Sequence, residues 1–134
     1  MIKASIKSFL KTIKAFSPEY VWMCATAQEI QGRWAYQRGD WWAFYDGEWM
    51  ACCDTADNVI GFEGANGEAW LPRQDQLQEM VGWGVDALVH DAARLLREEE
   101  WQCASMEELW LRIVMHEKHN KDWNGEAWVC AEKT

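Results

Sequence analysis

Residues 64–81, GANGEAWLPRQDQLQEMV, decide the fold, because the spacing of the apolar residues changes within this stretch. The pair Asn66-Gly67 is typical of a tight turn, and residues 68–71 follow it as a short strand. Pro72 ends this strand, since it lacks a backbone donor and has a fixed φ. From residue 73 onward the apolar residues recur at helical spacing. The sequence therefore predicts an α+β protein in which a sheet is followed by helices.

The chain before this stretch has the pattern of an antiparallel sheet. Many of its residues are aromatic, and turn pairs interrupt them, of which Asp46-Gly47 is typical of a two-residue hairpin. The predicted strands are residues 41–45, 48–53, 58–62 and 68–71. We expect a Trp-rich antiparallel meander of three to four strands packed against the helices, because so small a sheet needs a covered face. In a competing arrangement, residues 123–129 join this sheet as an extra strand.

Two helices are predicted before the sheet and about three after it. They cover residues 1–16, 18–31, 73–81, 85–99 and 106–119. Ser105 and Glu108 have the spacing of a capping box, and Gly32 and Asn120 stand where two of the helices should end. At 134 residues the chain is predicted to form a single domain, to which residues 1–16 either belong or are appended.

The N-terminal segment, residues 1–16, has the pattern of a basic amphipathic helix. One helical stripe carries its large apolar residues, which are Ile2, Ile6, Phe9, Leu10, Ile13 and Phe16. Four Lys and no acidic residue occur in the same segment. Such a helix can lie on an anionic membrane, bind an acidic partner or pack on the acidic body of its own chain.

The charge of the remaining chain argues against nucleic acid as a partner. The net charge is −9, and residues 17–134 carry 9 basic and 22 acidic side chains. Between Gly39 and Pro72 there are seven acidic residues and no Lys or Arg. Such a surface would repel a phosphate backbone. The charge therefore favours a protein partner over a nucleic acid.

A cytoplasmic location is predicted from the lack of targeting signals and from the cysteines. No apolar run in the sequence approaches the length of about 20 residues that crosses a bilayer, and the N-terminus lacks the apolar core of a signal peptide. Five Cys cannot all pair within one chain, and the adjacent Cys52 and Cys53 are poorly placed to bridge each other. Reduced thiols in a reducing compartment are the simpler interpretation.

The sequence contains no complete catalytic, cofactor or metal motif. His116 and His119 are three residues apart, so one helical face could bring both to a metal ion, but no further ligands can be assigned. Surface histidines near a helix C-terminus are the alternative interpretation. The cysteines lack a CxxC pair, and neither a Gly-rich phosphate loop nor a Ser elbow occurs. The catalytic residues are therefore unknown, and we predict no cofactor and no bound metal.

The eleven Trp are the most unusual feature of the composition. A sheet with one covered face directs alternate side chains outward, so the adjacent Trp41 and Trp42 must point to opposite faces. The candidates for an exposed interaction surface are Trp41, Trp42, Trp49 and Trp70. The alternative is that most of the tryptophans form the core.

Several groups of residues from the second helix onward form a recognisable pattern. They are Ala27-Gln28-Glu29-Ile30-Gln31 with Trp34, Gly39-Asp40-Trp41, Trp70-Leu71-Pro72-Arg73-Gln74-Asp75-Gln76-Leu77, Glu108-Leu109-Trp110-Leu111 and Trp123-Asn124-Gly125-Glu126-Ala127-Trp128-Val129. Together they resemble short uncharacterised proteins of phages and prophages of Gram-positive bacteria. The resemblance does not include the Lys-rich N-terminal segment. It implies a phage or mobile-element origin and no particular activity.

Two functions are compatible with these features. The first is a non-enzymatic accessory protein that binds a host or phage protein through an acidic, aromatic surface. The alternative is a small carbohydrate-binding or hydrolytic protein, in which Trp41 or Trp42 stacks on a sugar beside Asp40, Asp54 or Asp57. A homodimer is also predicted, because the chain has more Trp than one small core can enclose.

Overall fold

The computed structural model of the protein describes residues 16–35, 40–45, 49–53 and 69–131. Within these ranges it contains five helices and five short strands in two antiparallel sheets, which confirms the α+β class. The chain divides into two compact units, the N-terminal unit Met1–Pro72 and the C-terminal unit Arg73–Thr134. This boundary is the point where the apolar spacing changes in the sequence. A single domain over residues 1–134 stays a prediction.

The described part of the N-terminal unit begins with two helices, α1 at Pro18–Thr26 and α2 at Gln28–Gln31. Ser17 caps α1, since its Oγ accepts a hydrogen bond from Tyr20 N–H at 3.0 Å, and Pro18 takes the first helical position. The sequence predicted one helix here, but Ala27 has a ψ of 80° and interrupts it. Residues 1–15 of the predicted first helix lie outside the described residues.

The sheet of this unit has the strand order β2-β1-β3, and both pairs of neighbours are antiparallel. Its strands are β1 at Trp41–Tyr45, β2 at Trp49–Cys53 and β3 at Ala69–Leu71. The predicted pairing of β1 with β2 is confirmed. The order differs from the predicted meander, because β3 pairs with β1 at the centre of the sheet. The strand predicted at residues 58–62 lies outside the described residues.

Cross-strand packing explains why β3 pairs with β1. In the observed register Trp42 lies opposite Trp70 on one face, and Trp41 lies opposite Leu71 on the other face, where Ala43 lies opposite Ala69. Each large side chain thus pairs with a large one, and each small side chain with a small one. Trp42, Trp70 and the two alanines are buried, and Trp42 and Trp70 are each only 5% exposed. An alternating pattern predicts that strands form, but it does not predict which strands become neighbours.

A side chain from α2 covers the outer edge of β3. Gln31 Nε2 donates to the carbonyl oxygen of Trp70 at 2.9 Å, and Gln31 Oε1 accepts from Trp70 N–H at 2.7 Å. The same Nε2 donates to the carbonyl oxygen of Cys24 at 2.9 Å. The Gln31 amide therefore replaces a neighbouring strand at this point, and it satisfies both backbone groups of Trp70 on that edge.

The C-terminal unit is built around one extensively buried helix. Its helices are α3 at Gln74–Val81, α4 at Val85–Glu98 and α5 at Met106–His119. Both α3 and α4 pack against α5. The buried apolar residues of α5 are Leu109, Trp110, Leu111, Ile113, Val114 and Met115. The three helices predicted for this half of the sequence are thus confirmed.

Local signals explain where these helices begin and end. Ser105 Oγ accepts from Glu108 N–H at 3.1 Å, and the Glu108 carboxylate accepts from Ala104 N–H, which confirms the predicted cap. Gly82 ends α3 in the left-handed conformation with a φ of 71°. Asn120 ends α5 in the same way with a φ of 55°, as its position predicted.

A two-stranded hairpin follows α5, with β4 at Lys121–Trp123 paired antiparallel to β5 at Trp128–Cys130. Asn124 Oδ1 accepts from the N–H groups of Glu126 and Ala127, both at 2.8 Å, and Gly125 has a φ of 100°. Ala131 N–H then donates to the carbonyl oxygen of Asn120 at 2.8 Å and closes the hairpin. The C-terminal tail therefore forms a sheet of its own and is not an extra strand of the first sheet.

Candidate interaction surface

A groove lies where the C-terminal end of α4 meets the segment that leads into α5. Its volume is about 510 Å³. Its apolar wall is formed by Leu96, Trp101, Met106 and Leu109. Leu109 is buried at the base of the wall, whereas half of the Met106 side chain is exposed. A concave apolar site of this volume can receive one or a few side chains of a ligand.

Backbone hydrogen bonds hold both ends of the segment that forms this groove. Glu100 adopts a left-handed φ of 54°, and Trp101 N–H donates to the carbonyl oxygen of Leu96 at 3.2 Å, so the chain reverses after α4. At the other end, the cap made by Ser105 and Glu108 fixes the start of α5. These hydrogen bonds fix the backbone at both ends of the segment that lines the groove.

Acidic residues precede and follow the groove-lining segment in the sequence. Glu98, Glu99 and Glu100 are exposed at the end of α4, and Glu107 lies in the first turn of α5. Residues 98–108 include five acidic residues and no Lys or Arg. Acidic residues near an apolar site favour a ligand that combines an apolar side chain with positive charge.

Behind the aromatic wall lies a histidine between two carboxylates. The rings of Trp101 and His116 meet edge to face, with centroids 5.5 Å apart. His116 Nδ1 lies 2.7 Å from Asp122 Oδ1, and its Nε2 lies 3.9 Å from Glu99 Oε1. The His116 side chain is 12% exposed, so it is not the surface histidine that the sequence suggested. It joins the end of α4, helix α5 and the β4 strand, and it positions Trp101.

The His116 contacts could have been partly anticipated from sequence. Asn120 ends the helix, and the chain that turns back after it carries Asp122 two residues later. His119, three residues after His116, is half-buried. In the part of the chain that the structure describes, no group of three or more His, Cys, Asp or Glu side chains is arranged to hold a metal ion.

The four tryptophans proposed as interaction residues have different environments. Trp42 and Trp70 are core residues, so neither offers a ring face to a partner in this conformation. Trp41 is half-buried and meets the ring of Phe16 edge to face, at a centroid distance of 5.3 Å. Trp49 is the first residue of β2, and its side chain lies outside the described part. The sequence pattern did not single out Trp101, which lines the groove.

Of the three carboxylates named for the carbohydrate-binding alternative, the structure describes only Asp40. Asp40 is 2% exposed, and its Oδ2 accepts from Trp34 Nε1–H at 3.1 Å. Burial and this hydrogen bond give Asp40 a structural role in the N-terminal unit. Asp54 and Asp57 lie outside the described residues.

Comparison with protein families, with curated proteins and with solved structures finds no match for this chain. None of the helices within residues 16–35 and 69–131 is long and apolar enough to cross a membrane. The functional argument therefore rests on the geometry of the groove and on the charge around it.

Proposed function

We propose that this protein acts by binding another protein and that the groove of the C-terminal unit is the binding site. The observation that carries this proposal is an apolar groove of about 510 Å³ whose lining segment is flanked in sequence by acidic residues. Trp101 and Met106 supply its aromatic and flexible apolar contacts. Trp is enriched among the residues that dominate interface energies, and Met adapts to differently shaped ligands.

The charge around the groove defines the chemistry of the partner. We expect a basic segment in which one apolar side chain enters the groove, while Lys or Arg side chains face Glu100 and Glu107. Exposed charge pairs contribute mainly to the association rate, so binding should weaken as the salt concentration rises. The apolar anchor should supply most of the affinity.

Several expectations from the sequence belong to the same proposal. The resemblance to phage and prophage proteins supports an accessory role in such an element, and the cysteines support a cytoplasmic location. A homodimer and the packing of the Trp-rich sheet against the C-terminal helices are further parts of it. None of these expectations is needed for the groove to bind a ligand.

The test is affinity capture with two matched variants. Met106→Glu places a charge in the groove at a half-exposed position, and Val129→Glu makes the same change at an exposed position on β5. A specific partner should be retained by the wild type and by Val129→Glu, and its Kd should rise at least about tenfold with Met106→Glu. If every retained protein binds Met106→Glu as well as the wild type, the groove is not the binding site.

A further inference from the structure

Helix α4 carries more apolar surface than its own unit covers. Ala92 and Leu95 are buried against the unit, but Val85 and Val89 are 76% and 65% exposed. At 100° per residue, Val85, Val89 and Ala93 fall on one side of the helix, next to the buried face. We call these three residues the outer stripe. Two exposed β-branched residues one turn apart, beside the exposed Ala93, form a small apolar patch on which a second helix can pack.

The exposed charges of α4 show what kind of partner fits the outer stripe. Asp86 is the second residue of the helix and Arg97 is the last but one, so they lie equally far from its midpoint. Both side chains are exposed, both lie on the same side of the outer stripe, and neither forms an ion pair within the described residues. Arg94, in contrast, is already paired with Asp91 and Glu98 of its own helix.

We propose that a second copy of this protein covers the outer stripe, with the two α4 helices antiparallel across a twofold axis at the helix midpoint. In this arrangement Asp86 of each copy faces Arg97 of the other, and Val89 of each copy packs near Ala93 of the other. A parallel arrangement would instead place like charges opposite each other. The charges therefore select the antiparallel pair.

This inference goes further than the homodimer expectation of the proposed function, because it assigns the dimer to one face of α4, and the three residues of the outer stripe do not line the groove. A ligand in the groove contacts Trp101 and Met106, whereas the dimer requires Val85 and Val89. Met106→Glu should therefore raise the Kd of the groove partner without changing the dimer. Val89→Lys should weaken the dimer and leave Met106 accessible.

The first experiment is sedimentation equilibrium of the full chain over a range of concentrations in moderate salt. The wild type should approach twice the monomer mass of 15.7 kDa as the concentration rises. Val89→Lys should raise the dimer Kd at least about tenfold, since it places a charge in an apolar contact. A constant mass of 15.7 kDa at every concentration, or an unchanged Kd in Val89→Lys, would overturn the proposal.

The second experiment uses charge exchange to test the antiparallel geometry. Asp86→Arg and Arg97→Asp should each weaken the dimer by about five- to tenfold, because each replaces two attractive pairs by repulsive ones. The double variant should dimerise like the wild type, and an equimolar mixture of the two single variants should form a heterodimer. Far-UV circular dichroism of each variant is the control for correct folding.

A matched control separates specific pairing from net charge. Glu79→Arg makes the same charge change as Asp86→Arg at an exposed position on α3. It should leave the dimer Kd within about twofold of the wild-type value. If Glu79→Arg weakens the dimer as much as Asp86→Arg does, or if the double variant remains weak, the antiparallel pairing is wrong.

Discussion

The pentapeptide Asn-Gly-Glu-Ala-Trp occurs at residues 66–70 and again at residues 124–128. The last residue of each copy is a Trp, and the two Trp side chains lie in different environments. Trp70 is buried in the three-stranded sheet beside Trp42. Trp128 is half-buried in a two-stranded hairpin, where its ring meets Trp123 edge to face at 5.1 Å. Identical local sequences thus occupy a core position in one unit and a surface hairpin in the other.

The difference between the copies arises from residues that are distant in sequence. The first copy receives Gln31, whose amide pairs with the backbone of Trp70, and Trp34, whose ring is parallel to the Trp70 ring at 6.4 Å. The second copy is stabilised by its own turn, in which Asn124 accepts two backbone hydrogen bonds. The comparison teaches that the Trp of the pentapeptide lies in a strand in both copies, while residues distant in sequence set its burial.

The largest loss of stability is expected when the buried tryptophan Trp70 is replaced. Trp70→Ala should lower the free energy of unfolding by about 3–5 kcal/mol, because it opens a cavity between Trp34 and Trp42. Trp128→Ala, the same change in the second copy, should cost about 1–2 kcal/mol. Urea denaturation followed by far-UV circular dichroism measures both values. Equal losses in the two variants would refute the assigned difference in burial.

An intermediate effect is expected from the side chain that covers the sheet edge. Gln31→Ala should cost about 2–3 kcal/mol, since it leaves the N–H and carbonyl groups of Trp70 without their partner. The matched control is Gln28→Ala, because Gln28 is an exposed residue of the same short helix. The control should remain within about 0.5 kcal/mol of the wild type. A stable Gln31→Ala protein would show that β3 does not need this cover.

The smallest effect should come from the turn of the second copy. Asn124→Ala removes the acceptor of two backbone hydrogen bonds at the surface and should cost about 1 kcal/mol. Asn124→Asp keeps an acceptor oxygen at the same place and should retain most of the stability. The test compares the free energies of unfolding of the two variants with that of the wild type. If Asn124→Asp loses as much as Asn124→Ala, the acceptor is not what holds the turn.

From the sequence, only one end of the groove could be predicted. The spacing of Ser105 and Glu108 predicted the cap at one end of the groove, because capping is a contact between residues three apart. Trp101 and Met106 carried no signal of their own, since the groove forms only when the segment between them folds against Leu96 and Leu109. The left-handed turn at the other end falls on a Glu, a residue type that does not favour it.

Sequence by itself determined the α+β class, the three C-terminal helices and the signals that end them. These features depend on hydrophobic period and on caps, which act within a few residues of chain. Tertiary structure alone decided the strand order, the burial of Trp70 and the approach of His116 to Glu99. Such features depend on contacts between distant residues, as in the 39 positions that separate Gln31 from Trp70. No local pattern encodes these contacts, because packing and hydrogen bonding select the partner only when the chain has folded.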